Sequence, residues 1–144
     1  MDSISELLTK DHQRCDQLFA DVEAALGAGD LERADKGFAD FVRAMERHLG
    51  SEEEALFPAL ESRIGAGGPT EVMRMEHGMM RDLFQELRQE LGRRNVERCL
   101  GLCETLLVLM QQHNLKEEQI LYRMADNILA DERPRLLVRL AASA

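Results

Sequence analysis

The chain has 144 residues, a net charge of −9, 31% charged residues, 4% aromatic residues and no tryptophan. That length suits one domain with a real core, and a composition rich in Leu, Ala, Met, Glu and Arg favours helices over strands. The acidic balance argues against nucleic acid or anionic membrane as a partner. No apolar run is long enough to span a bilayer. The start MDSISELL lacks the basic region and apolar core of a secretory leader, so a cytoplasmic protein is expected.

Caps and breakers give four long helices. Asp2 or Ser3 caps the first, which runs to Gly27 in the breaker GAGD. Asp30 caps the second, from Leu31 to about Ile64, with a kink expected at Pro58, which has no N–H for the Glu54 carbonyl. Thr70 caps the third, to about Gly92, and Asn95 the fourth, to about Leu129. The tail after Asp131 is either a short fifth helix or a frayed end. Short connections between long helices predict an all-α, up-down-up-down antiparallel four-helix bundle. It forms one domain over residues 1–144 with its core at about 4–129.

The chain also repeats itself. HLGSEEEALF (His48 to Phe57) and HNLKEEQILY (His113 to Tyr122) lie 65 residues apart, and KDHQRCDQLF (Lys10 to Phe19) lies 65 residues before MEHGMMRDLF (Met75 to Phe84). All four histidines of the chain occupy equivalent places in two half-length repeats. The apolar residues set the helical register. On the fourth helix Val96, Cys103, Met110 and Met124 form one row, and Cys99, Leu106 and Ile120 the other; Glu117 falls on the first and His113 on the second. On the second helix, rows through Leu31, Phe38, Met45 and Ala59 and through Ala34, Phe41 and Ala55 take in Glu52 and His48. His12 shares a row with Phe19 and Leu26, and His77 with Phe84 and Leu91. All six polar residues are therefore expected to face the core.

Depth agrees with register. At the helical rise, the histidines lie about 22, 25, 22 and 27 Å from the turn that joins each helix pair. They form one layer, with Glu52 and Glu117 a turn away. Glu53 and Glu118 are rotated by about 100° from those glutamates and are either solvated or hold an imidazole from behind. Asp11 and Glu76 could likewise accept the free N–H of a neighbouring imidazole, or could form a solvated face. The spacing His-x-x-x-Glu stacks an imidazole and a carboxylate on one helix face. Four imidazoles and two carboxylates exceed one tetrahedral zinc and are too nitrogen-rich for calcium or magnesium. Two metal ions sharing the carboxylates suit the set, and an open position on each suits iron. Cys15, Cys99 and Cys103 read as small buried core residues rather than as a metal or redox site.

The order His12, His48-x-x-x-Glu52, His77, His113-x-x-x-Glu117 resembles the hemerythrin family, specifically its HHE cation-binding domain, over roughly Ile4 to Leu129. The resemblance implies two iron ions with an oxo or hydroxo bridge inside the bundle, ligated by His12, His48, Glu52, His77, His113 and Glu117. It also implies a small ligand such as oxygen, nitric oxide or peroxide, bound for sensing, scavenging or iron handling. An enzyme reducing peroxide or nitric oxide is the alternative, and a metal-free bundle that docks a protein is a third reading. The chain departs from the family's oxygen carriers at Arg81, where they have a further histidine, and at Glu118, where they have an aspartate. Arg81 is expected to set a fixed charge beside an open metal position, or to be neutralised by its repeat counterpart Asp16. Tyr122, which replaces Phe57 of the first repeat, is expected to pack with its hydroxyl at the surface, the alternative being a hydrogen bond to a bound oxygen species.

Overall fold

Ser3 accepts a hydrogen bond from the Glu6 amide and starts α1 (Ile4–Gly27). Asp30 does the same from Arg33 for α2 (Leu31–Ser51), and Asn95 from Arg98 for α5 (Val96–Lys116). These side chains satisfy amides that the first turn leaves without carbonyl partners. The fourth start differs from expectation. α4 (Pro69–Gly92) begins two residues early, after Gly68, with Pro69 in its first turn, where its fixed φ fits and its missing N–H costs nothing. Thr70 is instead fully buried and donates to Glu61 Oε2 at 2.7 Å.

Neither long helix that carries a His-x-x-x-Glu motif is α-helical throughout. α2 passes through a π-helical turn, Glu52–Leu56, into α3 (Phe57–Ile64), and α5 passes through Glu117–Leu121 into α6 (Tyr122–Ile128). The Phe57 amide reaches back five residues to the Glu52 carbonyl, and the Tyr122 amide does the same to Glu117. Pro58 does not cause this, because the second turn has Arg123 in its place. The Glu54 carbonyl, which Pro58 cannot serve, accepts from Arg139 at 3.3 Å.

The computed structural model describes residues 2–143. It forms a helical bundle in which α1 packs on α2 and α4 on α5, with α1 also lying against α5 and α6. α7 (Arg133–Ser143) closes over α1, α2 and the first π turn, so the tail is helical. Among the described residues no helix is long and apolar enough to cross a membrane. The core divides into two apolar clusters. One is built on Phe19, Phe38, Phe41, Phe84 and Leu106, the other on Ile4, Leu56, Phe57, Leu121 and Leu140. The predicted polar layer lies between them.

Candidate metal centre

All six predicted residues meet in that layer. His12, His48, Glu52, His77, His113 and Glu117 are each no more than 3% exposed. They form two groups of donors within 4.8 Å of one another: His12, His48, Glu52 and Glu117, and Glu52, His77, His113 and Glu117. Both carboxylates belong to both groups. The imidazoles sit in pairs, with ring centroids 4.6 Å apart for His12 and His48 and 5.0 Å for His77 and His113.

Each imidazole is held from behind by a carboxylate on another helix. Asp11 of α1 lies 2.8 Å from His48 Nδ1, and Glu53 lies 2.8 Å from His77 Nδ1. Glu76 of α4 lies 2.8 Å from His113 Nδ1, and Glu118 lies 2.7 Å from His12 Nδ1. The four contacts close a ring around the bundle: α1 holds α2, the first π turn holds α4, α4 holds α5, and the second π turn holds α1. Both alternatives left open by the sequence are thereby decided, since Asp11, Glu76, Glu53 and Glu118 all orient histidines. A carboxylate on Nδ1 fixes the tautomer that leaves Nε2 as a free lone pair pointing inward, and it raises the basicity of that nitrogen.

The π turns explain where the sequence register fails. Each inserts one residue, so every position after it rotates by about 100°. Ile120, placed on an inward row, is 58% exposed, and Leu121 is buried in its stead. Met124 and Ala59 are half-buried beside the fully buried Ala125 and Leu60. Beyond the glutamates, rows counted at constant pitch hold at Ala55, which is 4% exposed, and fail at Ile120, Met124 and Ala59.

Tyr122 is the residue the sequence reading placed wrongly. The extra residue carries it onto the inner face five positions after Glu117, and it is 0% exposed. Its hydroxyl donates its one proton to Glu52 Oε2 at 2.6 Å, and it lies 2.9 Å from Glu117 Oε1 and 3.1 Å from His12 Nε2. The repeat contained the signal: Phe57, its counterpart, has a ring 5.4 Å from that of His77, so the exchange of Phe for Tyr put an oxygen into one half of the layer alone. Arg81 also differs from expectation. It does not project a free charge at the layer, because its guanidinium pairs with Glu53 at 2.7 Å and with Glu46 at 3.0 Å. Asp16 is not its partner; Asp16 stands near His12 and Glu118, with its pKa raised by burial and by Glu118 against the pull of His12.

The electrostatics are those of a site short of positive charge. Burial lowers the pKa of His48, but Glu52, Asp11 and Glu117 outweigh burial and hold it well above 6.5. His113 is raised in the same way, chiefly by Glu117 against burial. Glu52 is raised by burial and by the charge of Glu117, whereas hydrogen bonds from Glu52 and the histidines hold Glu117 low despite its burial. Protons thus do the work of a cation. The inward donors are nevertheless incompletely served: His77 Nε2 faces Glu52 Oε1 at 3.1 Å and His113 Nε2 faces Glu117 Oε1 at 3.2 Å without hydrogen-bond alignment, and Glu117 Oε2 is buried with no partner. Buried polar atoms are rarely left so, and these are inward-facing nitrogen and carboxylate donors, a set that mixed imidazole and carboxylate metal ions take. The residues fit a metal pair. The cysteines do not take part: Cys15, Cys99 and Cys103 are buried, none joins either donor group, and burial pushes the Cys15 and Cys103 thiols up to about 12.

A pH dependence follows. His48, His113 and Glu52 bind protons more tightly folded than unfolded, so their stabilisation is present below the unfolded values and is lost as pH rises through the folded ones. Metal-free protein is therefore expected to lose stability as pH climbs from the ordinary histidine value of 6.5. Metal-loaded protein, whose histidines are already neutral, should hold its stability over that range. Thermal unfolding of both forms across neutral and alkaline pH checks this; parallel curves would refute it.

Comparison with known proteins agrees with the geometry. The model of the hemerythrin HHE cation-binding domain matches residues 3–125. An uncharacterized hemerythrin-like protein of Schizosaccharomyces pombe is 26% identical over 121 residues, covering 83% of this chain and 57% of that protein, so the chain spans little more than half of that relative's length. No solved structure matches. With the family model covering most of the chain and its histidines and glutamates gathered in one buried layer, the protein belongs to the hemerythrin HHE cation-binding domain family.

Proposed function

We propose that the centre holds two iron ions, with His12 and His48 serving one, His77 and His113 the other, and Glu52 and Glu117 shared between them. The observation that carries this is the pairing of two donor groups through two common carboxylates, together with inward nitrogen and oxygen atoms that have no aligned hydrogen bond. Iron held there would supply Lewis acidity and one-electron redox chemistry. The protein's part is to hold four imidazoles by their far nitrogens and to keep water out between two apolar clusters. Such a centre binds or reacts with oxygen, nitric oxide or peroxide, for sensing, scavenging or iron handling in the cytoplasm, with no nucleic acid or membrane partner. Metal analysis of protein produced with ample iron should find about two iron atoms per chain by this ligand count. An absorption spectrum taken after anaerobic reduction and again in air should change. A single metal ion in a tetrahedral site would end the proposal.

One observation favours a second reading, an enzyme that reduces peroxide or nitric oxide. Such reactions consume protons, and the Tyr122 hydroxyl is a buried proton donor among the inner ligands. Burial and the charges of Glu117 and Glu52 raise its pKa well above its ordinary value, which keeps it protonated in the metal-free protein. Repeated consumption of peroxide with an added electron donor to re-reduce the centre, beyond a single oxidation, separates this reading from a binding protein.

A further inference from the structure

The half-repeats act as an internal control for the protein surface. Among the described residues eight large hydrophobic side chains are strongly exposed, and six of them, Val72, Met75, Met79, Val108, Leu115 and Ile120, belong to the outer side of α4, α5 and the second π turn. Their counterparts 65 residues earlier behave differently. Met75, Met79 and Val108 correspond to Lys10, Arg14 and Arg43, which are exposed charges. Val72 and Ile120 correspond to Leu7 and Ala55, which lie in the apolar cluster closed by Leu136 and Leu140 of α7. The first half is thus charged where it is bare and covered where it is apolar. The second half is apolar and bare.

The bare face has a shaped feature. Pro69, Val72, Met73, Lys116, Ile120 and Leu121 line a cavity of about 170 Å³. Four of them are the repeat counterparts of Ile4, Leu8, Ala55 and Leu56, the residues under α7. Ala55 is 4% exposed beneath that helix, while Ile120 is 58% exposed without one. α7 therefore identifies what the groove accepts: a helix with apolar side chains four residues apart, as Leu136 and Leu140 are. The chain carries such a pair next to the groove, Met75 and Met79, which are 60% and 48% exposed.

We propose that this face pairs with the same face of a second copy of the chain, each copy laying its Met75–Met79 stripe into the Val72–Ile120 groove of the other. Charge decides between a second copy and another partner. Two copies each bearing −9 repel, so they can meet only where charge is sparse. From Thr105 to Leu115 the only titratable residue is the inward His113, whereas the counterpart stretch from Asp40 to Gly50 also holds Asp40, Arg43, Glu46 and Arg47. The one cation at the groove, Lys116, is paired with Glu76. A charged partner would find little to pair with there, while an identical apolar face meets its like across a two-fold axis. Methionine suits such a contact because it adapts to the shape opposite.

The test is the mass of the intact chain in solution at micromolar concentration, by light scattering or sedimentation, expected to be twice the 16.3 kDa of one chain. A triple variant, Met75→Lys, Met79→Arg and Val108→Arg, gives the second half the residues that its first half already presents. Expected is a monomer with unchanged helicity and iron content, its association weakened by roughly 100-fold or more, as loss of central anchors does. Should the triple variant fail to fold, Met79→Glu alone makes the same test. Val138→Glu, on the exposed side of α7, should leave the dimer intact. A monomeric unaltered chain, or a variant that stays dimeric, would overturn the proposal.

Discussion

Glu117→Ala is expected to strip the protein of most of its metal, whereas Glu118→Ala should keep two metal ions bound, less tightly. The two residues are neighbours, yet their positions could hardly differ more. Glu117 is fully buried, within 3.0 Å of His12 Nε2 and 3.2 Å of His113 Nε2, and belongs to both donor groups. Its removal takes a donor from each metal ion and leaves a hole no neighbouring side chain fills. Glu118 touches the far nitrogen of His12 and is itself 34% exposed. Losing such an orienting contact weakens metal affinity by about 10–100-fold, because the imidazole keeps its place while its tautomer and angle loosen. Metal content after dialysis against a weak chelator ranks the two. The reverse ranking would mean that the second π turn re-forms as α-helix on loading and brings Glu118 inward.

The site was readable because its signals were redundant. His12, His48, His77 and His113 could each be an ordinary core histidine, but the 65-residue repeat, the apolar rows and the helical depths placed all four in one layer independently. Helix ends were readable where a side chain caps them, as at Ser3, Asp30 and Asn95. They were missed by two residues at Thr70, where the cap is Gly68 and Pro69 starts the helix without a side-chain cap. What escaped was a change of pitch. A π turn leaves no mark in a row counted at constant period, so Met124 and Ala59 were placed on inward rows where Ala125 and Leu60 are buried, and the Tyr122 hydroxyl was placed at the surface. Two glutamates in succession after His-x-x-x were the available hint: a ligand and an orienting carboxylate must face different ways, and Glu53 and Glu118 reach their histidines from within the widened turns. Arg81 escaped for another reason. Its partners Glu46 and Glu53 lie on a different helix, and only packing brings them within reach.

Tyr122→Phe should separate the metal-free and metal-loaded proteins more sharply than any other conservative change. Without metal, the Tyr122 hydroxyl is the donor that serves Glu52 Oε2 at 2.6 Å, in a layer where Glu52 Oε1 already has no aligned hydrogen bond. Removing the hydroxyl leaves this buried carboxyl group only His77 Nε2 at 3.1 Å and His48 Nε2 at 3.6 Å, which costs about 1–3 kcal/mol. The aromatic ring itself stays, so its place in the second apolar cluster is kept. With metal bound, the ions take over both carboxylates and the same substitution should cost under about 1 kcal/mol. Urea unfolding of the two proteins, each with and without iron, gives the difference directly. Equal losses in both forms would show that the hydroxyl serves packing alone, and that the metal does not claim Glu52. The substitution also probes the choice between a binding protein and an enzyme. If the phenol delivers protons to the centre, the variant should keep its iron and its first oxidation by peroxide while repeated turnover slows. Unchanged turnover would remove Tyr122 from the chemistry and leave it as the stand-in that holds two carboxylates together until metal arrives.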